Sequence, residues 1–231
     1  ASNHLDVQAL APITHPGEMA ESIEHVVNKL QNNKLYPPLF KKAYGDMLIN
    51  SQRMLKALTQ FQLTLISDNS KYDKVRRSED TFSIQENKGY KLFLTHCNSC
   101  HTEPLFTNHK FENNGLSIDR QALDLGRFNI TKIPNDSMKF KVPTLRNIGY
   151  TYPYMHDGRF KKLSSVINHY INDNKEYKYI SKELEHKISL SSNDKSDLIS
   201  FLLTLNDRDF IFNPENKFPR KILLQPKDIN N

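Results

Sequence analysis

The 231-residue sequence has only two cysteines, Cys97 and Cys100, and no second pair of the same spacing. A zinc site built on Cys-x-x-Cys needs that second ligand pair, so structural zinc is excluded. Nowhere does an apolar run approach the roughly 20 residues needed to cross a bilayer. With 37% apolar residues and a mean hydropathy of −0.65, the chain reads as polar and soluble. No signal peptide is present and the first residue is not Met, so a processed or truncated product is expected. The net charge is +6, but Lys and Arg come as isolated pairs such as Lys41-Lys42, Arg76-Arg77 and Lys161-Lys162. That scatter predicts a solvated basic surface rather than a nucleic-acid interface. Repeats and low-complexity tracts are absent, and strand signals are sparse, so an all-α fold is expected.

What is present is Cys97-Asn98-Ser99-Cys100-His101, the C-x-x-C-H signature of c-type haem attachment. Two thiols a turn apart can each add to a haem vinyl group. The adjacent His then supplies an axial ligand to the iron. A redox dithiol would want a βαβ context, which the flanking sequence does not offer. Haem is attached to such motifs outside the cytoplasm, so a periplasmic or equivalent exported location is expected.

Residues 1–16 read as an extended lead-in. A helix is expected over Gly17–Asn33, with Ile23, Val26, Val27 and Leu30 on one face. A short helix through Phe40 and Tyr44 should end at Gly45. Ile49–Ile66 should be a helix with Met54, Leu55, Leu58, Phe61, Leu65 and Ile66 forming a broad apolar face. The charged run Arg76–Asp80 marks a domain boundary, giving domains of 1–80 and 81–231. Ser83 and Glu86 form a capping box for a helix that delivers Cys97. Residues 102–162 are broken repeatedly by Gly and Pro. So long a loop region is expected to pack on the haem. Helices over Leu163–Asn172 and Ser192–Leu205, the latter capped by Ser192 or Asn193, complete the chain.

Around the motif the sequence resembles a specific family, the bacterial di-haem cytochrome c peroxidases and their MauG-like relatives. The matching pieces are Gly89-Tyr90-Lys91-Leu92-Phe93, Asp124-Leu125-Gly126-Arg127, Phe140-Lys141-Val142-Pro143-Thr144-Leu145-Arg146-Asn147 and Thr151-Tyr152-Pro153-Tyr154-Met155-His156-Asp157-Gly158. Upstream, Gln8-Ala9-Leu10 and Pro16-Gly17-Glu18-Met19 resemble the later part of the family's N-terminal haem domain. The resemblance implies a periplasmic enzyme that reduces hydrogen peroxide, with two haems and a calcium ion between the haem domains. Only the C-terminal haem motif is present, so the chain is expected to be part of a longer protein. A natural one-haem variant is the alternative, and with it a plain electron-transfer cytochrome without peroxide chemistry.

By resemblance, Gln8 and Glu18 match residues on the distal side of the peroxidatic haem, where the carboxylate acts as acid–base on peroxide. Read from the residues alone, Glu18 is simply a first-turn acidic residue. His101 is one iron ligand, and Met155, Met138, His156, His169 and Tyr170 compete for the other. The family's ligand lies fourteen residues after His156, which is Tyr170 here. Typical peroxidases have Met at that position and the MauG-like branch has Tyr. A phenolate lowers the haem potential where thioether sulfur raises it. Met155 is the main rival. Arg146 and His156 are expected at haem propionates or the inter-domain region, or as loop anchors. The carbonyls of Thr151 and Pro153 match calcium ligands. Expected partners are peroxide and a small electron-donor protein, a cytochrome or cupredoxin, or an oxidised protein substrate. A homodimer is allowed by the resemblance. Neither nucleic acid nor a membrane span is expected.

Overall fold

A computed structural model describes residues 4–118, 123–172 and 179–219. The fold is all-α apart from one two-residue strand pair. Packing divides the chain into two units, Ala1–Ile66 with Asn213–Asn231, and Ser67–Phe212.

In the first unit the opening residues are not extended. They form two short helices, α1 (Leu5–Gln8) and α2 (Leu10–Thr14). The reason is burial: Ala9 and Ile13, one turn apart, pack against Met54. Pro12 sits in the first turn of α2, where no intrahelical N–H bond is lost. The third helix, α3 (Ile23–Asn32), starts six residues later than expected. Ser22 caps it by accepting the His25 N–H, while Glu18 and Ala20 N–H groups close a turn on the His15 carbonyl. Its face of Ile23, Val26, Val27 and Leu30 packs on the same small core. Helix α4 (Tyr36–Tyr44) ends, as expected, at Gly45, whose φ of +90° suits glycine. Helix α5 (Ser51–Thr64) is shorter than the expected Ile49–Ile66, and its apolar face is covered only in part. Packing partners reach only Met54 and Leu55, and Leu58, Phe61, Leu65 and Ile66 are exposed.

The second packing unit begins at Ser67. A capping box of Ser70 and Asp73 starts α6 (Lys71–Arg76), and Tyr72 on it is buried in this unit's core. The charges of Arg76–Asp80 occupy the exposed end of a helix whose other face is buried. The expected Ser83–Glu86 box opens α7 (Ile84–His96). After β1 (Phe111–Glu112), α8 (Phe128–Thr131) and β2 (Phe140–Lys141), α9 spans Leu163–Ile171 and α10 spans Ser192–Leu203. Strands β1 and β2 pair antiparallel, Phe111 opposite Lys141. The cap of α10 is Ser191, one residue before the expected pair, because Ser191 and Asp194 complete a reciprocal box. A short α11 (Arg208–Ile211) follows.

Helices α7 and α10 cross in close contact at Gly89. A Cβ there would lie 1.9 Å from the Asp197 carbonyl oxygen, so only glycine permits this approach. Phe93, Phe106, Phe201 and Leu205 are fully buried around the crossing. No described helix is long and apolar enough to cross a membrane.

Candidate haem-binding site

The crossing fixes the end of α7, and the end of α7 carries the motif. Cys97 is the helix cap, its N–H bonded to the Phe93 carbonyl. The chain then turns back on itself, with Cys100 and His101 N–H groups both bonded to the Cys97 carbonyl. Both thiols are unpaired and half-buried. Burial pushes the Cys97 thiol up to about 12, helped by Cys100, and burial also raises Cys100. A reactive dithiol has at least one thiol with a depressed pKa, and neither thiol here is shifted that way.

His101 is held in one tautomer. Its Nδ1 lies 3.1 Å from the Phe106 carbonyl oxygen and 3.2 Å from that of Pro143. Carbonyls only accept, so Nδ1 carries the proton and the lone pair resides on Nε2. Burial lowers the imidazole's pKa against the pull of those carbonyls, which favours the neutral ring. A neutral imidazole anchored through Nδ1 is the usual state of a metal-ligating histidine.

Helix α9 brings Tyr170 close enough to Cys97 and Cys100 for their charges to act on its phenol. Burial raises that phenol to about 12, while a bond from the Asn114 side chain pulls the other way. The same amide points Nδ2 at the Met155 sulfur, 3.5 Å away. Tyr170 and Met155 therefore both neighbour the Asn114 amide. His169 is tied through Nε2 to the Asn114 carbonyl at 3.0 Å. Met138 is a buried core residue, 5% exposed. His156 is exposed and stacks flat on Phe140, with centroids 3.7 Å apart.

Of the places expected for Arg146, the contacts it makes are those of a loop anchor. It makes five bonds with its five N–H groups: two to Asp73 at 2.9 and 3.0 Å, two to the Pro104 carbonyl and one to that of Ser67. All five donors are thus engaged within the second unit. Burial would raise the Asp73 carboxyl, but the bonds from Arg146 and Ser70 outweigh it and hold it below its ordinary range.

Gln8 ends α1 and Glu18 lies in the turn after α2, both exposed in the first unit. Thr151 and Pro153 are exposed on a loop of the second unit. Among the described residues no cluster of three or more His, Cys, Asp or Glu could hold a metal ion. Asn114 and the carbonyls of Phe106 and Pro143 were missed from sequence. Only Pro143 lay in a matching piece, and backbone carbonyls carry no side-chain signal. Asp73 was readable as the fourth residue of the Ser70 capping box.

The family model described as di-haem cytochrome c peroxidase matches residues 1–81, and the cytochrome c model matches residues 86–206. The chain belongs to the di-haem cytochrome c peroxidase and MauG family. It is 36% identical over 211 residues to the methylamine utilization protein MauG of Methylophilus methylotrophus, covering 87% of this chain and 61% of that protein. It is 32% identical over 210 residues to the cytochrome c peroxidase Ccp of Escherichia coli, covering 87% and 43%. Among solved structures, a MauG-like protein associated with microbial copper homeostasis superposes with a TM-score of 0.81 at 28% identity, covering 93% of this chain and 72% of that one. The diheme peroxidase BthA of Burkholderia thailandensis shares the fold, with a TM-score of 0.71 at 19% identity, covering 91% and 65%. The chain thus spans 61% or less of the length of these two curated relatives. Family membership implies haem c as the cofactor. The residues fit it: two unpaired thiols and a carbonyl-anchored neutral imidazole at the end of one helix.

Proposed function

We propose that this chain is the C-terminal haem-binding part of a di-haem oxidoreductase that reduces hydrogen peroxide in the periplasm. Its first unit is the later part of the other haem domain. The observation that carries the reading is His101 beside Cys97 and Cys100, with Nδ1 committed to two carbonyls and Nε2 left as the donor atom. Cys97 and Cys100 would hold the haem covalently, and His101 and Tyr170 would bind its iron, with Met155 the rival for the second position. Bound haem supplies one-electron redox chemistry, as electron relay or as a store of oxidising equivalents. The Phe106 and Pro143 carbonyls keep the His101 tautomer fixed. Asn114 orients Tyr170 by its amide bond. An unbonded phenolate is costly in this buried place, and a ferric charge offsets that cost. Glu18, with Gln8, is the acid–base group toward peroxide. The assignments of Gln8 and Glu18, a second haem, calcium on the Thr151 and Pro153 carbonyls and a small electron-donor protein rest on family resemblance.

Two measurements test this. Mass spectrometry of the denatured protein should give polypeptide plus one haem, and haem freed by acidic organic solvent would refute covalent attachment. Redox titration should then show a higher potential for Tyr170→Met than for the unaltered protein, and Tyr170→Phe should open a site that binds cyanide. If both leave spectrum and potential unchanged while Met155→Ala alters them, Met155 is the ligand. The chain alone should turn over peroxide slowly, since His101 and Tyr170 would leave no open position on the iron they hold.

A further inference from the structure

Asn114 touches both candidates for the second iron position and the residue next to one of them. Its carbonyl accepts from His169 Nε2 at 3.0 Å, which ties α9 to this loop one residue before Tyr170. Its side-chain oxygen, Oδ1, accepts the Leu116 N–H at 3.1 Å. The oxygen end of the amide is therefore turned to the backbone, and the two Nδ2 hydrogens are left as donors. Nδ2 reaches the Met155 sulfur at 3.5 Å, and the side chain also bonds the Tyr170 phenol. A thioether is a weak acceptor, so the phenol oxygen is the stronger partner of the two.

The loop gives Asn114 little freedom to leave this place. Its neighbour Asn113 is 3% exposed and bonded through every polar group. The Asn113 N–H donates to Ser181 Oγ at 2.9 Å, and its carbonyl accepts the Ser181 N–H at 3.0 Å. Its Nδ2 donates to the Ser137 carbonyl at 3.2 Å, and its Oδ1 accepts the Gly115 N–H at 2.9 Å. Gly115 turns the chain at a φ of +74°, which glycine adopts without a Cβ clash. The Asn114 amide is thus a preorganised donor aimed at an oxygen. Hydrogen bonds to an axial ligand are one of the levers on a haem potential. A phenolate keeps more of its negative charge on ferrous than on ferric iron, and a donor at its oxygen is worth more where that charge is larger.

We propose, resting on the haem ligation by His101 and Tyr170 proposed above, that Asn114 is a positioning residue whose hydrogen bond to Tyr170 raises the potential of the His101 centre. Asn114 acts through Tyr170 rather than on the iron. Its amide fixes the direction of the phenol and draws charge from the phenol oxygen, so Tyr170 donates less strongly than a phenolate without that bond. The resulting potential is intermediate, above that of an unassisted phenolate ligand and below that of a thioether.

The test is redox titration of the full-length holoprotein, where the transition of the His101 haem is the one that Tyr170→Phe moves. Asn114→Leu keeps the side-chain size and removes both donors. It should lower that potential by a roughly tenfold shift in the ferric–ferrous equilibrium, about 59 mV for one electron. Tyr170 should stay bound, read from the phenolate bands of the resonance Raman spectrum. In a Tyr170→Phe background Asn114→Leu should leave the potential where it is, since the coupling runs through the phenol. Asn114→Leu also takes the acceptor from the Leu116 N–H, and thermal unfolding monitors whether it folds. The unaltered protein gives a reading independent of any variant: full exchange into heavy water should shift the phenolate C–O stretch. An unchanged or raised potential in folded Asn114→Leu overturns the role of Asn114. So does a shift that persists without the Tyr170 hydroxyl, or a C–O stretch indifferent to heavy water. If Tyr170→Phe by itself moves neither spectrum nor potential, the Tyr170 ligation fails and the role of Asn114 falls with it. If Tyr170→Phe moves both while Asn114→Leu moves neither, the ligation stands and only the role of Asn114 is lost.

Discussion

His101 and Arg146 in the second unit are held by backbone carbonyls and a buried carboxylate, whereas in the first Gln8 lies exposed at the end of a short helix and Glu18 exposed in a turn. The difference is one of preorganisation. A ligand to iron must present one nitrogen in one direction. The second unit achieves that through its own core, by way of the α7–α10 crossing, the helix end and the carbonyls around His101. Glu18, proposed above as an acid–base group, sits in a turn whose N–H bonds the His15 carbonyl. Substitutions should therefore be costly in folding or haem retention on one side and nearly silent on the other.

The largest effect should come from Cys97→Ser with Cys100→Ser, which removes both thioether bonds. Denaturing mass spectrometry should find the bare polypeptide mass alone. Arg146→Ala comes next. It strands the Asp73 carboxylate, which is largely buried, and should cost about 3–5 kcal/mol in chemical denaturation. A loss below about 1 kcal/mol would mean that water replaces the guanidinium without penalty. The same pair sets an acid limit. The Asp73 carboxyl is held below its ordinary value, so its contribution is present above about pH 4 and disappears as pH falls through the folded-state value. The acid limb of stability should therefore be shallower in Arg146→Ala than in the unaltered protein, and identical slopes would remove Asp73 from the account.

Gly89→Ala should cost about 1–3 kcal/mol, because its Cβ collides with the Asp197 carbonyl. About 1 kcal/mol of gained helix propensity partly offsets this. The smallest folding effect belongs to Glu18→Gln, within about 0.5 kcal/mol as for other exposed sites. Its effect on peroxide turnover in the full-length protein should be a fall of about 10²–10⁴-fold. Full turnover in that variant would erase the contrast between the units and take the acid–base role from Glu18.

The motif residues and the helix that delivers them were legible because their requirements are local. Capping at Ser83, the glycine stop at Gly45 and the C-x-x-C-H spacing each depend on a few consecutive residues. The faces of helices were legible only where a partner covers them. The periodicity of α5 reports a large apolar face, but periodicity does not say how far α1 and α3 reach along it. The opening residues failed for the opposite reason, since Ala9 and Ile13 are made helical by burial on Met54 far along the chain.

By itself the sequence determined the helical class and the family and pointed to Cys97, Cys100 and His101 as the proposed haem site, all from spacing and residue type. The fate of Arg146 was decided only in three dimensions, because it depends on Asp73, seventy-three residues away, taking its guanidinium first. So too were the tautomer of His101 and the meeting of Tyr170 with Met155 at Asn114. These rest on backbone carbonyls and on side chains brought together by the α7–α10 crossing and the loops around it. Such partners leave no trace in local pattern, since any residue can offer a carbonyl and only folding says which one does.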